Sequence, residues 1–153
     1  MRIVVTLMIL LFEAWAVSPQ ALVGNWQAVK SSLANGTQST EKEYLQLKAD
    51  RTFSLMLLVS VEKDNAFVKD LKIEVSGIWK VRDDTLVAVV KSVAVPVAKE
   101  VYRISQESLR NLALTFENRF TNDPIRIIRI KHIDQGHFTS LNEELKETFY
   151  TRR

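Results

Sequence analysis

An alternation of apolar and polar residues with a period of two is the feature that most constrains the fold of this chain. It is clearest over residues 69–81, where apolar side chains occupy one face and mostly charged ones the other, and residues 51–62 repeat it. Successive side chains of a strand point to opposite faces, so the pattern predicts strands with one face in a core. Gly77 falls on the apolar face, where a missing side chain permits a sharp bend or a close backbone approach.

Turn-forming residues separate further segments of the same kind and make the connections short. Many short strands at such spacing are typical of an antiparallel barrel or sandwich. Residues 85–93 are rich in β-branched side chains, which also favours a strand. The pattern predicts eight strands, over residues 23–30, 41–48, 51–62, 69–81, 85–93, 97–105, 109–117 and 125–131.

The segments before and after the eight predicted strands have a different pattern. Leu141, Leu145, Phe149 and Arg152 recur at helical spacing, and Ser140 with the glutamate three residues later fits a capping box. We therefore expect a C-terminal helix over residues 141–152, with a strand over 148–152 as the competing interpretation. Near the N-terminus, a Ser-Pro pair at residues 18–19 is suited to start a single helical turn.

The first sixteen residues have the pattern of a secretory signal. Arg2 precedes an apolar run over residues 3–12, and residues 14–16 give a small-x-small cleavage pattern. The run is shorter than the roughly 20 residues needed to span a bilayer. We expect residues 1–16 to be removed, which leaves 17–153 as one domain without a transmembrane segment. The signal predicts a periplasmic or secreted location, and the absence of cysteine favours a bacterial periplasm, because small secreted animal domains are usually cross-linked by disulfides.

The sequence contains no pattern typical of catalysis. His132 and His137 are the only histidines, and they lack the helical spacing of paired metal ligands. A Gly-x-Ser-x-Gly elbow and a glycine-rich phosphate loop are both missing from the sequence. The net charge of +3 is spread along the chain, which does not suggest a nucleic-acid interface. We expect no enzymatic activity, metal or cofactor.

Three short motifs carry a resemblance to a known family. They are "LVGNW" around Gly24 and Trp26, "ADRTFS" before a strand, and "SGIWKVRDDTL" across a hairpin. In their order they resemble the lipocalin (calycin) family, and within it divergent bacterial secreted lipocalin-like domains. The family's Thr-Asp-x-x-Tyr element is not found, because residues 105–108 are Ser-Gln-Glu-Ser.

The resemblance implies an all-β fold, an eight-stranded up-and-down antiparallel barrel with a short N-terminal helical turn and a C-terminal helix. It also implies that Trp26, preceded by Gly24, lies across the closed end of the barrel. An arginine near the end of the last strand then packs on the indole. On the strands predicted above, Arg129 is placed to match this arginine, with Arg126 as the alternative.

A barrel of eight strands has an interior that side chains fill or that holds one small ligand. We expect a secreted or periplasmic binding protein that carries a small hydrophobic or amphipathic molecule, such as a fatty acid, isoprenoid or lipid fragment. The alternative is a protein-interaction module with a filled barrel, such as an envelope assembly factor or protease inhibitor. The oligomeric state is open, a homodimer included. The expected cavity residues are Phe53, Leu55, Leu57, Ile73, Val75, Trp79, Tyr102, Leu112, Leu114 and Phe116.

Overall fold

Antiparallel strands make up most of the structure, a computed structural model that describes residues 16–95, 98 and 100–153. Two helices accompany them, α1 (Pro19–Leu22) and α2 (Gln106–Thr121). The strands are β1 (Gly24–Ala34), β2 (Thr37–Leu47), β3 (Thr52–Lys63), β4 (Ala66–Arg82), β5 (Thr85–Ala94), β6 (Glu100–Tyr102), β7 (Ile125–Ile133), β8 (His137–Leu141) and β9 (Glu147–Arg152).

Eight of these strands close into a barrel. Each of β1 to β4 pairs with the next strand in the chain, β5 pairs with β7, and β7 to β9 continue the series in order. The circle closes where β9 pairs with β1, with Trp26 opposite Arg152. The short β6 lies outside this circle and pairs with the first part of β4. The predicted eight-stranded up-and-down antiparallel barrel and the short N-terminal helix are therefore confirmed.

The seventh predicted strand is wrong, because residues 109–117 lie inside helix α2. Ser105 begins this helix, and its side chain accepts a hydrogen bond from the Ser108 backbone N–H. Leu109, Leu112 and Phe116 share one helical face and pack against the core. In the predicted strand Leu114 shared a face with Leu112 and Phe116. In the helix it lies on the side away from the core and is exposed. The sixth predicted strand, over residues 97–105, includes residues 97 and 99, which lie outside the described residues; among the others, residues 100–102 form β6.

The predicted C-terminal helix is also wrong, and the competing strand is correct. Residues 137–152 form the β8–β9 hairpin. At its turn the Asn142 side chain accepts hydrogen bonds from the backbone N–H groups of Glu144 and Lys146, and Leu145 has a φ of 62°. Ser140 lies in β8 and does not cap a helix. The helix formers at residues 143–147 therefore build a tight turn and the start of a strand.

The core is tightly filled at the end of the barrel where α1 lies, called here the α1 end. Leu22, Leu47, Leu86 and Ile130 are almost fully buried there, together with the aromatic side chains described below. Gly77 permits close contact between β4 and β5, since a Cβ atom at this position would overlap the carbonyl oxygen of Val89. This confirms the close approach predicted at Gly77.

The opposite end of the barrel, called here the α2 end, is covered by helix α2. The helix connects β6 to β7 and contacts β4 and β5, and Phe120 in its last turn is buried. Residues 1–15, which contain almost all of the predicted signal peptide, lie outside the described residues. Within the part of the chain that the structure describes, no helix is long and apolar enough to cross a membrane.

Candidate functional site

Trp26 lies across the α1 end of the barrel as predicted, but the arginine on its ring is Arg152. The Arg152 guanidinium carbon lies 4.1 Å from the ring centroid, within the range of a cation–π contact. The same guanidinium donates hydrogen bonds to the carbonyl oxygens of Ala21, Val23 and Gln135. The indole N–H of Trp26 donates to the carbonyl oxygen of Leu22, 2.8 Å away. This cluster joins α1, β1 and β9, and we regard it as structural.

Gly24 is required by the same cluster. Its φ is +148°, a conformation that favours glycine, and a Cβ atom would overlap Arg152 Nη1. Arg152 Nη1 could move away from such a Cβ atom only by giving up its hydrogen bond to the Val23 carbonyl oxygen. The Gly-x-Trp motif therefore leaves space for the arginine that covers the tryptophan.

Arg129 does not contact Trp26, which corrects the sequence-based assignment. Its side chain lies on the outer surface of β7, and Nε donates to Asp84 Oδ2 at 2.8 Å. This hydrogen bond lowers the pKa of Asp84 below its usual value. Arg126 does not contact Trp26 either, because it lies at the opposite end of the barrel. The last strand is β9 and not β7, and for this reason the sequence pointed to the wrong arginine.

Charged and polar side chains point into the barrel at the α2 end. Glu43 of β2 is 6% exposed, and its two carboxylate oxygens accept from Lys30 Nζ at 2.5 Å and from the Tyr150 hydroxyl at 2.6 Å. Burial, together with the negative charge of Glu43, raises the pKa of Tyr150 well above its usual value. Burying a charge costs free energy unless it is paired and hydrogen-bonded, and here both conditions are met.

An aromatic column connects this polar layer to the α1 end. Trp26 packs edge-on against Phe138 with ring centroids 4.7 Å apart, and Phe138 stacks on Tyr150 at 4.4 Å. The three rings thus form a continuous series of contacts from Trp26 to Tyr150. The column also holds the Tyr150 ring, so that the hydroxyl group is directed at Glu43.

Two arginines complete the polar layer. Arg119 in the last turn of α2 reaches across to β2, where its Nη1 lies 3.2 Å from Glu41 Oε1. Arg126 in β7 donates through Nη2 to the carbonyl oxygen of Arg119, and its guanidinium lies 5.2 Å from the Phe120 ring centroid. Its Nε is buried, and among the described residues no atom accepts a hydrogen bond from it.

A half-open cavity of about 220 Å³ lies at the α2 end of the barrel, beside the last turn of α2. Leu55, Leu57 and Ile128 contribute apolar wall, while Glu43 and Arg126 contribute polar wall. A wider groove of about 750 Å³ lies at the rim and shares Lys30, Arg119 and Arg126 with the cavity. The site is thus amphipathic, and part of its wall is the last turn of α2.

The predicted cavity residues divide into four groups. Leu55 and Leu57 line the cavity at the α2 end. Leu112 and Phe116 are partly buried on α2, where they pack against the core, whereas Leu114 and Tyr102 are exposed. Tyr102 stacks on Phe67 at the edge of the sheet and does not reach the interior. The rest form the filled core: Phe53, Ile73, Val75 and Trp79.

Sequence reasoning missed the polar residues of the site. The available signal was the strand register, since Lys30 continues the inward series of Trp26 and Ala28, and Glu43 continues that of Leu45 and Leu47. These inward positions would have placed a cation and a carboxylate inside the barrel. Tyr150 could be assigned only with β9 in place.

The two histidines lie beside the turn between β7 and β8. His132 Nε2 and His137 Nδ1 lie 3.3 Å and 3.4 Å from the carboxylate of Asp134. That carboxylate accepts from the backbone N–H groups of Gly136 and His137, which lowers the pKa of Asp134 to about 2. Over the described residues, no group of three or more side chains is placed to hold a metal ion.

No protein-family model matches this chain, and a comparison with curated proteins gave no match. The closed antiparallel barrel is compatible with a calycin-like fold.

Proposed function

We propose that this protein binds a small amphipathic molecule in the cavity at the α2 end. The observation that carries the proposal is the composition of the cavity wall, in which Leu55 and Leu57 face the same space as Glu43 and Arg126. Binding pockets for small molecules combine mostly apolar walls with a few polar groups that fix orientation. We propose a binding role rather than a catalytic one.

The dimensions of the cavity favour a short ligand. Its volume of about 220 Å³ is below the roughly 300 Å³ at which pockets for drug-sized molecules begin. The aromatic column and the buried core residues occupy the interior towards the α1 end. Among the ligands expected from the sequence, a short amphipathic fragment suits this space better than a long fatty acid or isoprenoid. A longer tail would have to extend into the groove at the rim.

We also propose that the chain is a divergent lipocalin-like protein that is secreted or periplasmic. Support comes from the barrel topology and from the Gly24–Trp26–Arg152 cluster, which has the arrangement implied by the family resemblance. The N-terminal sequence pattern supports export. N-terminal sequencing of the exported protein should begin at Val17, and an uncleaved chain in the cytoplasm would contradict the location.

The binding function is tested by filling the cavity. Native mass spectrometry and titration calorimetry with a panel of short neutral and charged amphiphiles should detect a ligand for the protein comprising residues 17–153. Leu55→Phe should weaken binding at least about tenfold, because the larger ring occupies the cavity. Leu58→Phe is the matched control, since Leu58 lies on the outer face of the same strand. Equal binding by the two variants, or no binding of any amphiphile, would disprove the function.

A protein-interaction module is the second candidate. Two observations favour it, the filled α1 half of the barrel and the exposed side chains of Ile78, Ile125 and Ile127 on the outer face. Val87 and Val89 lie between these residues in the sheet register and make the stripe continuous. Self-association in sedimentation velocity that is abolished by Ile127→Asp, together with an absence of ligand binding, would favour this candidate.

A further inference from the structure

The second half of strand β1 has a free edge. On the side away from β2, β9 pairs with β1 only as far as Gln27, and among the described residues no other strand pairs there. Residues 29–34 therefore form an unpaired edge, called here the β1 edge. A free strand edge presents backbone N–H and C=O groups that can pair with the strand of another chain.

The turn between β1 and β2 fixes which backbone groups point to this edge. Asn35 and Gly36 form a two-residue turn with positive φ at both positions, and Ala34 lies opposite Thr37. The pair that closes such a turn is hydrogen-bonded, and bonded and non-bonded pairs alternate along an antiparallel ladder. In β1 the groups of the odd-numbered residues therefore point away from β2. Asn25 agrees, because its carbonyl oxygen accepts a hydrogen bond from the backbone N–H of residue 153 on the β9 side.

The β1 edge has little of the protection that exposed edges usually carry. Natural sheets protect such edges with proline, β-bulges or charged side chains. Residues 29–34 contain no proline, and their register with β2 is regular. Lys30 is their one charged residue, and Glu43 neutralises it at 2.5 Å. Two of the outward side chains are apolar, Val29 and Leu33, which are 65% and 76% exposed. This edge is therefore suited to pair with another strand.

We propose that the β1 edges of two copies of this chain pair in an antiparallel ladder and form a twofold dimer. The register that places Ser31 on the twofold axis sets Val29 opposite Leu33 of the partner subunit, and Leu33 opposite the partner's Val29. Each exposed apolar side chain then gains an apolar cross-strand neighbour. The three opposed pairs exchange two hydrogen bonds each through the backbone groups that point away from β2.

Spacing and charge favour a second copy as the occupant. A strand that matches the β1 edge needs apolar residues opposite both Val29 and Leu33, and β1 itself supplies this spacing when it runs antiparallel. In the same register Lys30 lies opposite Ser32 of the partner subunit, so no like charges face each other. The dimer goes beyond the proposed function because it needs no ligand, and it does not use the outer stripe around Ile127.

Sedimentation velocity of the protein comprising residues 17–153 should show a monomer–dimer equilibrium. Ser31→Pro should weaken it at least about tenfold, because proline removes the N–H that donates across the axis in both copies. That N–H points away from β2, so the variant should keep its barrel, which circular dichroism checks. Ile127→Asp is the control on the outer stripe and should dimerise as the wild type.

A charge exchange tests the register without proline. Val29→Glu and Leu33→Lys should each weaken the dimer, because a charge then faces an apolar side chain of the partner. The double variant carrying both substitutions should dimerise more tightly than either single variant, since two cross-strand ion pairs form. This rescue is not expected from an interface elsewhere on the barrel.

Cross-linking gives a second measure of the register, since the chain has no cysteine. The Cα atoms of the two copies of residue 31 would lie about 5.5 Å apart, within the roughly 4.4–6.8 Å that a disulfide spans. Ser31→Cys should therefore give a covalent dimer on mild oxidation. Thr40→Cys is the matched control, because Thr40 lies opposite Ser31 on β2. Its two copies would be three strand spacings apart, roughly 14 Å, too far for a disulfide.

Several results would overturn the dimer. They are a monomer at every concentration, a loss of association in Ile127→Asp as large as in Ser31→Pro, and equal cross-linking of the two cysteine variants. A monomer in which an added peptide of unrelated sequence protects residues 29–34 from hydrogen exchange would assign the edge to a foreign strand. None of these results depends on ligand binding, so the proposed function is judged separately.

Discussion

At the scale of single residues, the polar interior depends on the contact between Glu43 and Tyr150. The phenol hydroxyl donates to one carboxylate oxygen and Lys30 donates to the other, so the buried carboxylate has a donor on each oxygen. Removal of one partner from a buried charged pair usually costs more than the net contribution of the pair, because the remaining charge loses its donor. Tyr150 is therefore a structural member of the site as well as part of its wall.

This contact predicts a loss of stability in alkali. The pKa of Tyr150 is raised in the folded protein, so its contribution is complete below the ordinary tyrosine pKa of about 10 and is lost as the pH rises above it. Chemical denaturation from neutral pH to about pH 11 should show a falling free energy of unfolding. Tyr150→Phe should reduce this slope and lower stability at neutral pH by about 1–3 kcal/mol.

Tyr44→Phe is the control for this experiment. Tyr44 lies on the outer side of β2 with the Arg153 guanidinium over its ring, and its hydroxyl group does not bond the Glu43 carboxylate. The alkaline slope should therefore remain in Tyr44→Phe. An unchanged slope in Tyr150→Phe would contradict the assignment of the effect to the interior contact.

At the scale of elements, helix α2 and the β8–β9 hairpin are the two segments where local sequence patterns misled the prediction. In α2 the residues Leu112, Leu114 and Phe116 fit a strand, while Leu109, Leu112 and Phe116 fit a helix. Burial of Leu109, Leu112 and Phe116 against the core favours the helix over the strand. In the hairpin, good helix formers occupy a turn because β9 must pair with both β8 and β1.

The N-cap of α2 gives a prediction at this scale. Ser105→Ala should lower the free energy of unfolding by about 1 kcal/mol and increase hydrogen exchange in the first turn of the helix, because the Ser108 N–H loses its acceptor. Thr115→Ala, in the exposed middle of the helix, should be neutral or slightly stabilising. Equal losses in the two variants would mean that the cap has no specific effect.

At the scale of the whole molecule, closure of the barrel depends on the last strand. β9 fills the gap between β8 and β1, so that each of the eight barrel strands is paired on both sides over at least part of its length. Arg152, at the end of β9, donates hydrogen bonds to carbonyl oxygens at α1 and in the β7–β8 turn, and these bonds stabilise the closed barrel. The fold is thus completed by residues at the extreme C-terminus of this sequence.

This closure predicts an unequal response to two arginine substitutions. Arg152→Gln should lower the free energy of unfolding by about 1–3 kcal/mol, since it loses the contact with Trp26 and the bonds to three carbonyl groups. Arg129→Gln should cause little change, because its ion pair with Asp84 is exposed. Thermal and chemical denaturation of both variants would check this. An equal or larger effect for Arg129→Gln would contradict the role given to Arg152 in closing the barrel.

The sequence by itself determined the fold class, the first five strands and the positions of Gly24, Trp26 and Gly77. These features depend on local chemistry, namely period-two alternation, turn residues and the absence of a side chain. The tertiary structure decided which segment closes the barrel, which arginine covers Trp26 and which residues form the cavity. Glu43 and Tyr150 are more than a hundred residues apart in the chain, 107 by number. The Tyr150 hydroxyl reaches Glu43 only after the intervening strands have paired, because closure of the barrel, and not local strand propensity, brings the two residues together.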